Sequence, residues 1–192
     1  MDAAWAELNA EIEACRRCAL AEGITNKVPG QGSHTARLML IGEGPGAQED
    51  ARGLAFVGPA GQLLTRMLAA IGLERDEVFI TNIVKCRPPN NRAPLPVEAQ
   101  TCLPFLREQT RLIRPRVILL LGASALRAIV GEDKRITAFR GQWVERKGVS
   151  ILATFHPAAL LRDPAKKRLA WEDLQLVRDR LAAIPRDNTQ AN

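Results

Sequence analysis

The chain has 192 residues, of which 46% are hydrophobic and 25% charged, a balance typical of a globular domain with its own core. No apolar run reaches the roughly 18 residues that a membrane span needs, and the acidic start of the chain is unlike a secretion signal. We therefore expect a cytoplasmic monomer rather than a membrane or secreted protein. The net charge of +6 favours an anionic partner such as nucleic acid.

The hydrophobic periodicity predicts helices that alternate with short apolar strands. The predicted helices cover residues 3–14, 60–71, 96–113, 122–130 and 165–184, and the predicted strands cover residues 37–41, 78–84, 117–121 and 150–154. Residues 42–58 and 87–94 are predicted loops, and residues 140–147 are predicted to form a hairpin or an extended arm.

This alternation is typical of a parallel sheet that is covered by helices on both faces. The predicted fold class is therefore α/β, a three-layer α/β/α sandwich with a central four-stranded parallel sheet. We expect a single domain over residues 1–184. The polar tail, residues 185–192, is expected to be disordered.

Polar side chains lie at the ends of three predicted strands. The first strand ends in Gly42–Gly46, which carries Glu43, while Asn82 lies late in the second strand and His156 follows the fourth. Carboxyl ends of parallel strands meet at one edge of a sheet, where ligands bind. Each residue alone has a structural alternative, but their convergence favours a functional site. The other histidine, His34, lies in a polar loop and is expected to be solvated.

Asn82 and Phe56 point to recognition of a base. Asn82 lies in a buried run, so its amide must find hydrogen-bond partners. One acceptor and two donors match the O4 and N3–H edge of uracil, but not the reversed edge of cytosine. Phe56 lies in a glycine-flanked loop, where its ring could either stack on a base or anchor the loop in the core.

The four cysteines suggest a metal centre. Cys15 and Cys18 are separated by two residues, whereas Cys86 and Cys102 are separated by 15. A reducing compartment argues against disulfides, and four thiolates with one close pair are typical of a metal or iron–sulfur site. Zinc sites usually pair both halves closely, so this spacing favours an iron–sulfur cluster. Cys102 alone could also be a buried structural thiol.

Several motifs together resemble one family. They are Gly42-Glu43-Gly44-Pro45-Gly46 with Glu49-Asp50, Phe56-Val57-Gly58-Pro59-Ala60-Gly61, the run from Thr81 to Pro89, His156-Pro157-Ala158 and the four cysteines. From about residue 10 to residue 180 the chain resembles the family 4, iron–sulfur uracil-DNA glycosylases of prokaryotes. The resemblance implies a repair enzyme that hydrolyses the N-glycosidic bond of deoxyuridine in single- or double-stranded DNA. It also implies a 4Fe-4S cluster held by Cys15, Cys18, Cys86 and Cys102.

The resemblance implies a catalytic role for three side chains. Asn82 would bind the edge of uracil, and His156 would donate a hydrogen bond to O2 as the base leaves. Glu43 and the backbone of Gly44 would line the pocket and hold the attacking water, and Gly42 would also bind the substrate. Glu43 is the only local candidate for a general base.

The remaining implied roles concern selectivity and DNA binding. Phe56 would stack on the extruded uracil, and Glu49 would stand near C5 and exclude the methyl group of thymine. A loop from His156 to Arg162 would enter the duplex, with Leu160 or Leu161 replacing the extruded base. The residues implied in DNA insertion and backbone contact are Leu160, Leu161, Arg162 and Lys166.

Two other functions remain open from the sequence. Related iron–sulfur proteins trap uracil-DNA covalently with a histidine in a basic loop, but the corresponding segment here, residues 85–95, contains no histidine. An electron-transfer protein would explain the cysteines, but it gives no reason for Glu43, Asn82 and His156 to converge. We expect the cluster to be structural, because all four thiolates are used and no coordination position stays open.

Overall fold

The structure, a computed structural model, describes residues 2–185 and is centred on one sheet. Its strands are β1 (Gln31–Gly32), β2 (Leu38–Gly42), β3 (Phe79–Asn82), β4 (Val117–Leu121), β5 (Val144–Arg146) and β6 (Val149–Thr154). Their order across the sheet is β1-β3-β2-β4-β6-β5. The four inner strands, β3, β2, β4 and β6, are parallel to one another, which confirms the predicted parallel core.

The strand count differs from the prediction at both edges of the sheet. β1 pairs antiparallel with β3, and β5 pairs antiparallel with β6, so the sheet has six strands rather than four. Residues 140–147 were predicted to form a hairpin or an extended arm. Strand β5 lies in this segment and forms a hairpin with β6. Strands of two and three residues are too short to show an alternating hydrophobic pattern, so periodicity does not reveal them.

Helices cover both faces of the sheet, as a three-layer sandwich requires. They are α1 (Asp2–Ala14), α2 (Ala47–Arg52), α3 (Pro59–Ala69), α4 (Pro96–Ile113), α5 (Ala123–Ile129), α6 (Ile136–Phe139), α7 (Pro157–Arg162) and α8 (Lys167–Ala183). Helices α3 and α8 contribute to one core, together with Leu38 and Leu40 of β2. Helices α1, α4 and α5 contribute to the other, together with Met39 and Ile41. Alternate residues of the buried strand therefore serve opposite faces.

Three short helices replace predicted loops or go unpredicted. Helix α2 lies within the predicted loop 42–58, and α7 occupies the segment that was expected to be a loop after His156. Each has only six residues, and α6 has four, so none presents enough turns to show a 3.6-residue period. Helix α7 is instead set by its first turn, where Pro157 follows the N-cap His156.

Two further expectations concern the periphery. His34 is not simply solvated: its ring stacks on Trp5, with centroids 4.1 Å apart and planes at 10°. The expectation of a disordered tail falls on residues 186–192 and lies outside the described residues. Among residues 2–185, none of the helices has the length and apolar character that a membrane crossing demands.

The strand order reverses between β2 and β4. From β2 the chain moves to β3 on one side, then crosses to β4 on the other side of β2. In an open α/β sheet, the carboxyl ends of strands at such a reversal flank a crevice where ligands bind. The fold therefore places the turns after β2 and β4 next to each other.

Candidate active site

A cavity of about 620 Å³ opens at the carboxyl edge of the sheet. Glu43 after β2, Asn82 of β3 and His156 after β6 all line it, together with Glu49 and Phe56. The structure thus brings together the predicted base-binding residues. Its wall also includes Gly44, Pro45, Ser124, Arg127 and Arg162.

Asn82 presents an unsatisfied amide to this cavity. The residue is 1% exposed, and its Oδ1 is buried without a hydrogen-bond partner among the described residues. A buried acceptor of this kind costs about 1–3 kcal/mol unless a ligand or water supplies a donor. Oδ1 also abuts Gly42, since a Cβ at that position would lie 2.4 Å from it.

A buried lysine, which sequence reasoning missed, holds the backbone of Asn82 from behind. Lys85 Nζ donates to Asn82 O at 2.8 Å, to Thr81 Oγ1 at 2.6 Å and to Gln109 Oε1 at 2.7 Å. Burial lowers the pKa of Lys85 to about 7, against the opposing effect of Cys102. Because Lys85 binds the backbone oxygen of Asn82, the end of β3 is restrained, and this limits how far the Asn82 amide can move.

Phe56 is held in a left-handed backbone conformation, with φ of 52°. Glu49 Oε1 accepts hydrogen bonds from the N–H groups of Val57 and Gly58, both at 2.8 Å. A Cβ at Gly61 would lie 1.8 Å from the carbonyl oxygen of Phe56, so only glycine fits there. These contacts fix the Phe56 ring against His156, with centroids 5.5 Å apart.

The acidic pair Glu49-Asp50 does not act as one group. Glu49 faces the cavity and holds the Phe56 loop. Asp50 is 5% exposed and accepts hydrogen bonds from the N–H groups of Thr25 at 2.9 Å and Asn26 at 3.2 Å. Because the two residues are consecutive on α2, they point in different directions, and Asp50 fixes the loop before β1 instead.

His156 is oriented by the first turn of α7. Its Nδ1 accepts a hydrogen bond from the N–H of Ala158 at 3.1 Å, which leaves the proton of the neutral ring on Nε2. Burial lowers the pKa of His156 below its ordinary 6.5; Glu43 and Glu49 raise it, and Arg162 lowers it. The ring is therefore a neutral donor through Nε2–H at neutral pH.

Glu43 has a partner that sequence reasoning missed. Ser124, the second residue of α5, donates a hydrogen bond from Oγ to Glu43 Oε2. The two residues lie far apart in the chain and meet only because β2 and β4 are neighbours. Gly122, which follows β4, lies against His156. A Cβ added to this glycine would be 2.9 Å from the Cβ of the histidine.

The chain matches the family model of the uracil DNA glycosylase superfamily over residues 29–175. It belongs to that superfamily. A type-4 uracil-DNA glycosylase of Archaeoglobus fulgidus is 48% identical over 80% of this chain and 81% of its own length. Another type-4 uracil-DNA glycosylase, of Sulfurisphaera tokodaii, is 43% identical over 95% of this chain and 87% of its own length. A third, of Thermotoga maritima, is 44% identical over 85% and 88%. The resemblance drawn from the motifs is therefore confirmed.

The segment predicted to enter DNA, residues 156–162, contains helix α7 where a loop was predicted, and its two leucines differ in exposure. Leu160 is 1% exposed and belongs to the core under α7, so it is not available to replace an extruded base. Leu161, the next residue of the same helical turn, is 42% exposed. Helix formation separates neighbouring residues by about 100°, which a loop would not do. Of the two predicted leucines, only Leu161 is exposed to solvent.

Two predicted basic residues lie at the cavity itself. Arg162 and Lys166 both line it. Lys166 Nζ lies 3.0 Å from a carboxylate oxygen of Asp163 and 5.6 Å from the centre of the Phe155 ring. Arg127, exposed on α5, joins them and was not predicted. Three basic side chains therefore line this cavity.

The four cysteines collect on one side of the sheet. Cys86 belongs to the core beneath α1 and α4, and Cys15, Cys18 and Cys102 pack against that core. Burial raises the pKa of Cys86 to about 12; Lys27 lowers it, and the other three cysteines raise it, so all four lie within electrostatic reach. No three acidic, histidine or cysteine side chains within residues 2–185 converge tightly enough for a single metal ion.

Four cysteine thiols are the kind of donor set that an iron–sulfur cluster uses. A [4Fe-4S] cluster takes one thiolate on each iron, so its four ligands surround a volume instead of meeting at one point. All four candidate donors are free thiols, and none is engaged in a disulfide. The donor set therefore agrees with the predicted cofactor.

Proposed function

We propose that this protein is a uracil-DNA glycosylase that hydrolyses the N-glycosidic bond of deoxyuridine in DNA, releasing free uracil and leaving an abasic site. The observation that carries the proposal is the buried, unpartnered Oδ1 of Asn82. Uracil supplies the missing donor through N3–H, while its O4 accepts from the amide Nδ2. The names of the type-4 relatives agree with this activity.

The same amide rejects cytosine. Cytosine presents an acceptor at N3 and a donor at N4, so Oδ1 would stay unpaired and Nδ2 would face a donor. A site built to bond a polar edge rejects an analogue that cannot pair with it by large factors, because its buried groups stay unsatisfied. For thymine, we propose that the fixed carboxylate of Glu49 stands near C5 and excludes the methyl group.

A glycosylase must take its base out of the stack before it can act. Phe56 supplies a surface for the extruded base, and its backbone is fixed by Glu49 and Gly61, so little ordering is needed on binding. Leu161 fills the space that the base leaves, and Arg162, Lys166 and Arg127 contact the phosphates. The net charge of +6 assists binding of single- or double-stranded DNA.

Bond cleavage leaves positive charge on the sugar and negative charge on the departing uracil. His156 stabilises the uracil anion, because its Nε2–H donates to O2 where charge develops in the transition state. The hydrogen bond from Ala158 fixes the tautomer that this requires. Water, held by Glu43 and the backbone of Gly44, then bonds to C1′ and transfers a proton to Glu43. The base leaves with the electrons of the broken bond.

We further propose that Cys15, Cys18, Cys86 and Cys102 hold a 4Fe-4S cluster. When bound, the group cross-links distant segments of the chain and supplies no electron to the reaction. The cysteines lie after α1, after β3 and on α4. Reduced thiols and a DNA substrate suit a prokaryotic cytoplasm, where we expect the protein to act as a monomer.

A covalent uracil-DNA trap has no comparable support. Residues 85–95 contain no histidine, and the histidine of the cavity has its Nδ1 engaged by the Ala158 N–H. A neutral histidine with its proton on Nε2 suits donation to a leaving anion.

The experiment is incubation with single- and double-stranded oligonucleotides that carry one uracil, followed by alkali. We expect strand scission at uracil and none in matched cytosine or thymine oligonucleotides. Asn82→Ala and His156→Ala should each lower the rate on the order of a hundredfold. Absence of scission in both wild-type reactions, or a protein–DNA adduct that survives denaturation, would overturn the proposal.

A further inference from the structure

The turn between β4 and α5 contacts two proposed catalytic residues, His156 and Glu43, although it belongs to none of the motifs described above. Gly122 has φ of 92° and lies directly behind the Cβ of His156. Two residues later, Ser124 donates its hydroxyl proton to Glu43 Oε2. The turn lies at the reversal of strand order between β2 and β4, so one short segment spans the crevice.

The direction of the Ser124–Glu43 hydrogen bond determines what it can do. An ionised carboxylate only accepts, so the serine hydroxyl must be the donor. The bond uses Oε2 of Glu43 and leaves Oε1 without a hydrogen-bond partner among the residues that the structure describes. Hydrogen bonds to charged groups are stronger than neutral ones, so this contact restricts the rotamers of a half-buried glutamate.

The position of Ser124 is itself fixed. It belongs to the first turn of α5, whose residues Ala125 and Leu126 are fully buried in the core. The left-handed conformation at Gly122 sets where this helix begins. The hydroxyl is therefore held by the fold, whereas the glutamate side chain, with three rotatable bonds, is the mobile partner.

We propose that Ser124 is a positioning residue for hydrolysis: it holds Glu43 so that the free carboxylate oxygen meets the attacking water. This inference rests on the proposed function. Ser124 does not bind uracil, since recognition belongs to Asn82 and Phe56. It acts only through Glu43, by selecting one arrangement of that side chain before water and sugar arrive.

The test is a double-mutant cycle on uracil-DNA cleavage, with kcat and KM measured separately. Ser124→Ala should lower kcat about tenfold to a hundredfold, as expected for a lost hydrogen bond to a charged group, and leave KM unchanged. Ser124→Thr, which keeps the hydroxyl, should restore most of the rate. In a Glu43→Gln background, Ser124→Ala should have little further effect, because the residue through which it acts is already altered.

A matched control exists elsewhere in the fold. Ser150 Oγ lies 2.8 Å from Glu145 Oε1, far from the cavity, so Ser150→Ala removes a serine–glutamate pair without touching the site. It should leave kcat unchanged, and thermal unfolding reports any loss of folded protein in each variant.

Three outcomes would overturn the inference while leaving the proposed function standing. They are an unchanged kcat in Ser124→Ala, a full additional loss in the Glu43→Gln background, and a rise in KM alone. A wild-type protein that releases no uracil would instead overturn the proposed function itself.

Discussion

Gly42 and Asn82 are packed so closely that a methyl group on the glycine would lie 2.4 Å from the amide oxygen. The same methyl group would lie 2.5 Å from Cζ of Phe56. The two side chains that would read and stack the base therefore share one glycine as their support. This glycine ends β2, so the parallel pairing of β2 with β3 sets the geometry of the pocket.

Gly42→Ala should displace both side chains. Contacts below 3.0 Å force movement, and here the neighbours are an amide and an aromatic ring whose positions define the pocket. We expect kcat/KM for uracil-DNA to fall at least about tenfold, since a displacement of about 1 Å in a positioned group costs up to a hundredfold. Steady-state kinetics measure the loss. Unchanged kinetics with a native unfolding temperature would show that the pocket does not depend on this contact.

Asn82→Ala should lower activity on the order of a hundredfold without destabilising the fold. The amide oxygen has no hydrogen-bond partner among residues 2–185, so its removal also removes a buried unsatisfied acceptor. Denaturant unfolding should give an unchanged or slightly higher free energy of unfolding. A loss of several kcal/mol would indicate that the side chain has a structural partner after all.

His156 gives a pH prediction with a defined sign. Burial lowers its pKa, so the folded protein binds the proton less readily than the unfolded chain with its ordinary value of 6.5. The unfolded state therefore gains stability as the pH falls below about 6.5, and the free energy of unfolding decreases. Activity of the folded protein should fall only at more acidic pH, where the lowered pKa of His156 is reached and the neutral donor is lost.

Titration of the imidazole by NMR measures this pKa, with His34→Gln to assign the signal. The His156→Gln variant should lack this component of the pH dependence of stability. An imidazole that titrates above 6.5 would contradict the neutral-donor mechanism.

Leu160 and Leu161 should behave as opposites. Leu160→Ala leaves a cavity beneath α7 and should cost about 2–5 kcal/mol of folding stability. Leu161→Ala should leave stability unchanged but lower activity on duplex more than on single-stranded DNA, because a single strand leaves no vacated stack to fill. Paired unfolding and activity measurements separate the two. Equal activity losses on both substrates would argue against insertion by Leu161.

Loss of the cluster should affect stability before chemistry. Cys86→Ser changes the most buried of the four thiols and should lower both iron content and unfolding temperature. Any protein that remains folded should keep its uracil selectivity, because none of the cysteines lines the cavity. Iron and sulfide analysis, beside the cleavage assay, tests this. A change in the visible spectrum on adding uracil-DNA would instead indicate a role in the reaction.

The sequence predicts the parallel centre of the sheet because its strands are long, apolar and separated by helices. Helix α4 has the predicted bounds, since Pro96 opens it and Arg114, with φ of 54°, ends it before Pro115. Short elements such as β1 and α7 leave no periodic signal. For this reason the sequence could not distinguish buried Leu160 from exposed Leu161.

Some residues of the candidate site could likewise be predicted from the sequence, and others could not. Polar side chains are uncommon at the ends of apolar strands, and three occur here: Glu43, Asn82 and His156. Because parallel strands end at the same edge of the sheet, chain order alone brings these residues together. Ser124 carries no such signal, because serine near the start of a helix is common. Its importance depends on β4 lying next to β2, which is a property of strand order and cannot be obtained from local pattern.

The most direct test of the account is quantification of free base released from one oligonucleotide in two versions, with uracil or cytosine at the same position. We predict that the wild-type protein releases uracil in equal amount to abasic sites and releases no cytosine, and that Asn82→Ala loses uracil release while it remains folded. Release of both bases at similar rates, or full uracil release by Asn82→Ala, would contradict recognition of uracil by the Asn82 amide.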